Sequence, residues 1–137
     1  MYVADLEGQV RIDRQNDLIA RLQSVRKAQY GAFILWHGET GSWHDDTGPD
    51  LWIHINDTIA YLYFFPDKLG NLAGFQPTGM CPAGCNEGVQ FVLTDGIESA
   101  GILMPPDTLV SVDIAYKAAV EFYKEPVLPA SIRWSEL

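Results

Sequence analysis

The sequence predicts an α+β fold in which a mainly antiparallel sheet packs against two helices. Apolar residues recur at helical spacing over 112–124, and a second apolar stripe predicts a helix over about 13–29. Between them, residues 51–65 alternate with the period of two that is typical of paired β-strands. The 137 residues suit one domain, so we expect a single domain spanning 1–137.

The C-terminal helix has the clearest local signals. Ser111 is a good N-cap, because its hydroxyl can accept from the unbonded N–H groups of the first turn. Asp113 then places negative charge at the positive end of the helix dipole, and Pro126 stops the helix. The predicted buried stripe is Val112, Ala115, Ala118, Ala119 and Phe122. Its alanines let the helix backbone come close to its partner, which we expect to be a flat sheet.

The N-terminal part predicts an edge strand followed by a basic helix. Val10 and Ile12 alternate with Arg11, as in a half-buried edge strand, and Asp13 or Asn16 can cap the helix. The apolar stripe of this helix is Leu18, Ile19, Leu22 and Val25. Its polar side carries Arg14, Arg21, Arg26 and Lys27, which we interpret as a solvated face.

The middle of the chain predicts the sheet. Residues 32–36 form a compact strand, and 51–65 forms a hairpin with Asn56-Asp57 at its turn. The second hairpin strand is apolar on both faces, so it should lie inside the sheet and be covered on at least one side. Shorter strands are expected over 71–76, 89–93 and 102–104. Residues 77–88 predict a turn-rich loop. Residues 37–50 predict a long polar loop, part of which could instead extend the two flanking strands.

The composition narrows the classes of function. A formal net charge of −9 disfavours binding to nucleic acid or to an anionic membrane, since both need basic patches. The longest apolar run, 59–65, is far shorter than a membrane span, and the N-terminus lacks a signal-peptide pattern. We therefore expect a cytoplasmic protein with reduced cysteines. The acidity favours steered association with a basic partner, although solubility alone also explains it.

No motif predicts catalysis, a metal site or a cofactor. Cys81 and Cys85 lack the second ligand pair that a structural zinc site needs, and a reducing compartment disfavours their disulfide. His44-Asp45-Asp46 resembles a base beside carboxylates, but no nucleophile motif accompanies it. A ligand-binding or enzymatic site built from His37, His44 and Asp45 remains an alternative.

The candidate binding surface is an acidic, loop-borne set of residues. Trp43, flanked by glycine, serine and acids, either tucks onto the core or anchors a partner, since tryptophan is enriched at interface hot spots. The predicted partner-binding residues are Glu39, Trp43, His44, Asp45, Asp46, Asp50 and Glu87. A protein–protein contact is therefore the role that these loops favour.

Both ends of the chain resemble a known family. The start has Met1-Tyr2, then acids and V-R-I-D before a helix. The end reads V-S-V-D-I-A-Y-K-A-A-V-E-F-Y, then a proline-bearing connector and R-W-S-E-L. These segments are similar to immunity protein family one of bacterial polymorphic toxin systems, including members that act against double-stranded-DNA cytidine deaminase toxins.

The resemblance implies an α+β antitoxin that performs no chemistry. Such a protein binds a cognate secreted toxin domain, often of the cytidine deaminase fold, and occludes its active site. It would be a monomer or weak dimer alone, and a general interaction module is the remaining alternative. In this interpretation Phe122 and Trp134 belong to the core, and the acidic middle loops contact the toxin.

Overall fold

The fold is taken from a computed structural model, which describes residues 1–5, 8–26, 30–38, 47–67, 73–82, 86–91 and 101–137. It confirms a single small α+β domain with two helices and an antiparallel sheet. The helices are α1 (Gln15–Arg26) and α2 (Val112–Lys124). The strands are β1 (Tyr2–Asp5), β2 (Gly8–Arg11), β3 (Tyr30–Trp36), β4 (Asp50–Asn56), β5 (Ile59–Phe65), β6 (Phe75–Pro77), β7 (Val89–Phe91), β8 (Ile102–Met104), β9 (Val110–Ser111) and β10 (Trp134–Glu136).

The main sheet has the order β10-β6-β5-β4-β3-β1-β2, and β9 pairs with β5 beside this path. Strands β7 and β8 pair only with each other in the described residues and form a separate two-stranded ribbon. Every strand pair in the described residues is antiparallel. The doubly apolar strand β5 lies inside the sheet, as predicted, and β2 is an edge.

Helix α2 follows its sequence signals closely. The Ser111 hydroxyl accepts a hydrogen bond from the Ile114 N–H at 3.3 Å, which confirms the N-cap. The buried residues of the helix are the predicted stripe: Val112, Ala115, Ala118, Ala119 and Phe122. The helix ends at Lys124, where the N–H of Glu125 bonds to the Glu121 carbonyl. Trp134 packs half-buried against the same core.

Two local predictions differ from the structure by a residue or two. Helix α1 begins at Gln15, so Asn16 is already helical, and Asp13 pairs its carboxylate with Arg11 at 3.0 Å. The β4–β5 turn is Asp57-Thr58, one residue later than predicted, because Asn56 pairs with Ile59. Asp57 has a positive φ of 57°, which aspartate tolerates better than most residues.

The two faces of the sheet have different covers. One face carries aliphatic and phenylalanine side chains that pack under α1 and α2; we call it the helix face. Its buried strand residues are Val3, Phe33, Leu35, Leu51, Ile53, Ile55, Ala60, Leu62 and Phe64. The alternating residues of the same strands form the opposite face, against which the β7–β8 ribbon packs, and we call it the ribbon face.

Candidate functional site

The structure describes two of the seven predicted binding residues. Asp50 is the first residue of β4 and is buried, with 1% of its surface exposed. At this residue the flanking strand is extended, as in the alternative, and the placement of Asp50 in an exposed loop is wrong. Glu87 is exposed and lies two residues before β7. The other predicted binding residues lie outside the described part of the chain: Glu39, Trp43, His44, Asp45 and Asp46. Cys85 lies outside it as well.

His37 is tied to the end of helix α2. Its Nε2 lies 2.7 Å from the backbone carbonyl of Phe122, so this nitrogen carries the proton and donates. The imidazole ring also lies 5.2 Å from the phenyl ring of Phe122. His37 therefore fixes the start of the 37–49 connection onto the helix, which is a structural role.

The ribbon face brings polar and aromatic side chains together in rows across the sheet. The strand register places Trp36, Asp50 and Phe65 in one row. The next row holds Ile34, Trp52 and Tyr63, and the third holds Ala32, His54 and Tyr61. Since residues directly opposite each other on one face interact, these rows are the contact units of the face.

A cluster of aromatic rings runs along the first two rows. The ring of Phe65 lies 5.5 Å from that of Trp52 and 5.7 Å from that of Tyr63. All three side chains are partly exposed, whereas their neighbours on the helix face, such as Ile53 and Leu62, are fully buried. We call these three residues the aromatic patch. Such side chains give large contact area for little loss of conformational entropy.

The ribbon covers the third row. Phe91 of β7 packs against Tyr61, with 6.1 Å between ring centroids, and both are fully buried. The Asn56 side-chain amide donates to the Gln90 carbonyl at 2.9 Å and so links β4 to β7. Met104 and Leu109 complete this second, smaller hydrophobic cluster. The ribbon thus closes one end of the face, and the aromatic patch lies towards the other.

His54 is buried beneath this cover. It is 1% exposed, and neither ring nitrogen has a hydrogen-bond partner in the described residues. Burial lowers the pKa of His54 to about 4, an effect that the neighbouring backbone of Tyr61 partly opposes. Burial also raises the pKa of Tyr61 well above its ordinary value, so its hydroxyl stays neutral. The alternation over 51–65 indicates which face His54 takes, but it does not indicate that the side chain is buried.

The acidic residues are unevenly distributed along the chain. Residues 28–116 hold eleven of the 18 acidic residues, and Lys68 is their only basic residue. The two ends, which form β1, β2, α1, most of α2 and β10, hold the other eight of the nine basic residues. Of the eleven acidic residues, Asp50 begins β4, Asp113 lies in α2, and the ribbon strands hold none. The excess negative charge therefore belongs mainly to the connections between the strands.

The described residues contain no cluster of three or more histidine, cysteine, aspartate or glutamate side chains suited to a metal ion. The ribbon face instead exposes aromatic side chains, while Asp50, the carboxylate that its described strands carry, is buried.

Neither described helix combines the length and apolar character that crossing a membrane requires. No family model matches the chain, and no curated protein matches it either.

Proposed function

We propose that this chain is an immunity protein, which binds a cognate secreted toxin domain in the cytoplasm and occludes the toxin's active site. The proposal rests first on the resemblance of the two termini to immunity protein family one. Those segments form β1, β2, α2 and β10, so the resemblance concerns the scaffold. The proposed toxin is a nucleic-acid cytidine deaminase.

The observation that carries the proposal is the charge asymmetry. An enzyme that acts on nucleic acid needs a basic cleft for phosphates. The segment 28–116, with eleven acidic residues and one lysine, is suited to that cleft. Complementary charge speeds association and excludes wrong partners. Acidity that served solubility alone would not require the central two-thirds of the chain to contain so few basic residues.

The ribbon face is the proposed contact surface. Its aromatic patch consists of Trp52, Tyr63 and Phe65, and interface cores are enriched in these residue types. Aromatic rings in an acidic setting bind arginine well, because the guanidinium stacks on a ring and is attracted by its quadrupole. The 37–49 connection, which holds most of the predicted binding residues, leaves β3 after Trp36 and enters β4 at Asp50. It therefore joins the sheet at the Phe65 row.

The proposal predicts that the gene next to this one encodes a toxin with a deaminase-fold domain, and it is tested by co-expressing the chain with that domain. The expected result is survival of the host and a 1:1 complex on gel filtration. Host death together with separate elution of the two proteins would refute the proposal.

The contact surface has its own test in the same system. Trp52→Ala combined with Tyr63→Ala should weaken the complex by about 10- to 100-fold, because truncation of aromatic anchors costs 1–3 kcal/mol or more. Tyr123→Ala is the matched control, an aromatic truncation on helix α2, and should leave binding unchanged. Equal affinity of the double variant and the wild type would place the contact elsewhere.

A ligand-binding or enzymatic role built on His37, His44 and Asp45 has less support. The Nε2 of His37 already donates to the Phe122 carbonyl at 2.7 Å, and such a site would have to break this bond or use Nδ1 alone. Replacement of His44 and Asp45 by alanine with full protection of the host would eliminate this alternative.

A further inference from the structure

We propose that protonation of the buried imidazole of His54 releases the β7–β8 ribbon from the sheet, while the helix-covered core stays folded. This inference is independent of the proposed function. It rests on where His54 lies, on what covers it and on the small size of that cover.

The position of His54 disfavours its charged form. The side chain is 1% exposed in the middle of β4, and both ring nitrogens are buried without a hydrogen-bond partner in the described residues. A neutral imidazole has one donor and one acceptor, and leaving both unsatisfied is already costly. Protonation adds a charge there, and an unpaired buried charge costs far more.

The side chains around His54 do not compensate a positive charge, and the backbone of Tyr61 does so only in part. Tyr61 lies opposite on β5, with ring centroids 6.0 Å apart, and its raised pKa keeps it neutral. Tyr63 adds a second phenol on β5, while β3 presents Ala32 and β7 presents Phe91. Asp50 is the carboxylate on the same face of β4, four residues away, which is about 13 Å along an extended strand. The described elements packed against His54 thus bring no carboxylate close to its ring.

Among the described residues, the ribbon is the smallest unit that packs on the row of His54 and Tyr61, so its displacement is the route by which we expect water to reach His54. Each ribbon strand has three residues. The ribbon packs on the sheet through one small hydrophobic cluster, which consists of Tyr61, Phe91, Met104 and Leu109. The hydrogen bond from Asn56 to Gln90 adds one tie. The helix face is held by two helices and a much larger cluster. Segments with few buried contacts open first, so hydration of His54 should separate the ribbon before the sheet unfolds.

The energetics set the range of pH. The pKa of His54 is about 4 when the site is closed, and an open site restores a value near 6.5. Opening therefore becomes more favourable as the pH falls below 6.5, and the gain stops below about 4. Above pH 6.5 the imidazole is neutral in both the closed and the open state, and the ribbon stays packed on the sheet.

The test is amide hydrogen exchange of the full chain between pH 7.5 and 4.5, corrected for intrinsic exchange rates. Protection of amides in 89–91 and 102–104 should fall roughly 50- to 100-fold over this range. Amides within β4 and β5 that bond across the sheet exchange through global unfolding, which also hydrates His54, so their protection should fall by a similar factor but stay higher than that of the ribbon amides at both pH values. Equal protection in the ribbon and in these strands at pH 4.5 would mean that both exchange by global unfolding and would overturn the proposal.

Two variants isolate the imidazole. His54→Gln keeps a polar side chain that does not titrate, and its ribbon protection should be nearly independent of pH. His37→Gln is the matched control, because His37 contacts Phe122 instead of the ribbon, and it should behave as the wild type does. An equal loss of protection in His54→Gln and the wild type would refute the role of His54.

A direct measurement covers the case in which His54→Gln does not fold. The imidazole carbon shift of His54 in the wild type reports its own titration. A midpoint near 4 to 5 agrees with the proposal, whereas a midpoint at 6 or above would show a solvated ring and overturn it.

Discussion

The two faces of the sheet are made by the same strands, yet they differ in chemistry and in cover. On the helix face every described core residue is apolar, and the alanines of α2 let a helix lie close against the strands. On the ribbon face, Asp50 and His54 are buried beside aromatic rings. The helix face therefore supplies most of the stability, while the ribbon face holds the buried polar groups and the partly exposed aromatic patch.

The comparison shows how period-two alternation gives the two faces of one strand different chemistry. Ile53 faces the helices, and the adjacent Trp52 and His54 face the other way. A strand can therefore hold a costly polar residue on one face while its other face stays fully packed. Each of the following predictions compares the two faces or their connections.

The largest expected effect comes from truncating a phenylalanine on each face. Phe122→Ala should lower the free energy of unfolding by about 4–5 kcal/mol, because it leaves a cavity between α2 and the sheet. Phe91→Ala removes the same group from the ribbon and should cost at most about 3 kcal/mol, since the small ribbon can shift to fill the gap. Urea unfolding followed by circular dichroism measures both values. Equal losses would remove the proposed difference between the faces.

The next effect is the dependence of stability on pH through His54. The pKa of the folded state is lowered to about 4, below the ordinary 6.5, so the stabilisation is fully present above 6.5 and is lost as the pH falls towards 4. Between pH 7.5 and 4.5 the wild type should lose about 2–3 kcal/mol more than His54→Leu. Urea unfolding of both proteins at the two pH values checks this. An identical pH dependence would mean that His54 is not buried in the native protein.

A smaller effect is expected at the contact between α1 and the sheet. Asp5 of β1 and Arg21 of α1 form an ion pair with 2.6 Å between Oδ2 and Nε, and the Asp5 side chain is 7% exposed. Asp5→Asn should cost about 2 kcal/mol, between the values for exposed and fully buried pairs.

The matched control for this pair is Asp13→Asn, which breaks the exposed Arg11–Asp13 pair. It should cost no more than about 0.5 kcal/mol, because solvent screens exposed charges. Thermal unfolding resolves the two variants, and similar losses would contradict the role of burial.

The smallest expected effect is at the start of α2. Ser111→Ala removes the acceptor for the Ile114 N–H and should cost about 1 kcal/mol. Ser111→Asp retains an acceptor and should recover most of the loss. Failure of the aspartate variant to recover stability would mean that Ser111 acts through its place in β9 instead of through the cap.

The sequence by itself determined the local elements. Ser111, the alanine stripe and the proline after the helix predicted α2 over its observed residues, and the alternation over 51–65 predicted β4 and β5. The strand at 102–104 was also predicted at its observed bounds. These features depend on spacing, capping and turns, which act between residues a few positions apart.

The tertiary structure alone decided which polar residues are buried. His54 and Glu87 are both polar, but one is sealed under a ribbon that begins 35 residues later and the other is exposed. The bond between His37 and the Phe122 carbonyl joins residues 85 positions apart. The antiparallel pairing of β6 with β10 also joins residues more than 50 positions apart. Burial depends on what packs above a residue, and period-two alternation specifies only which face a side chain takes.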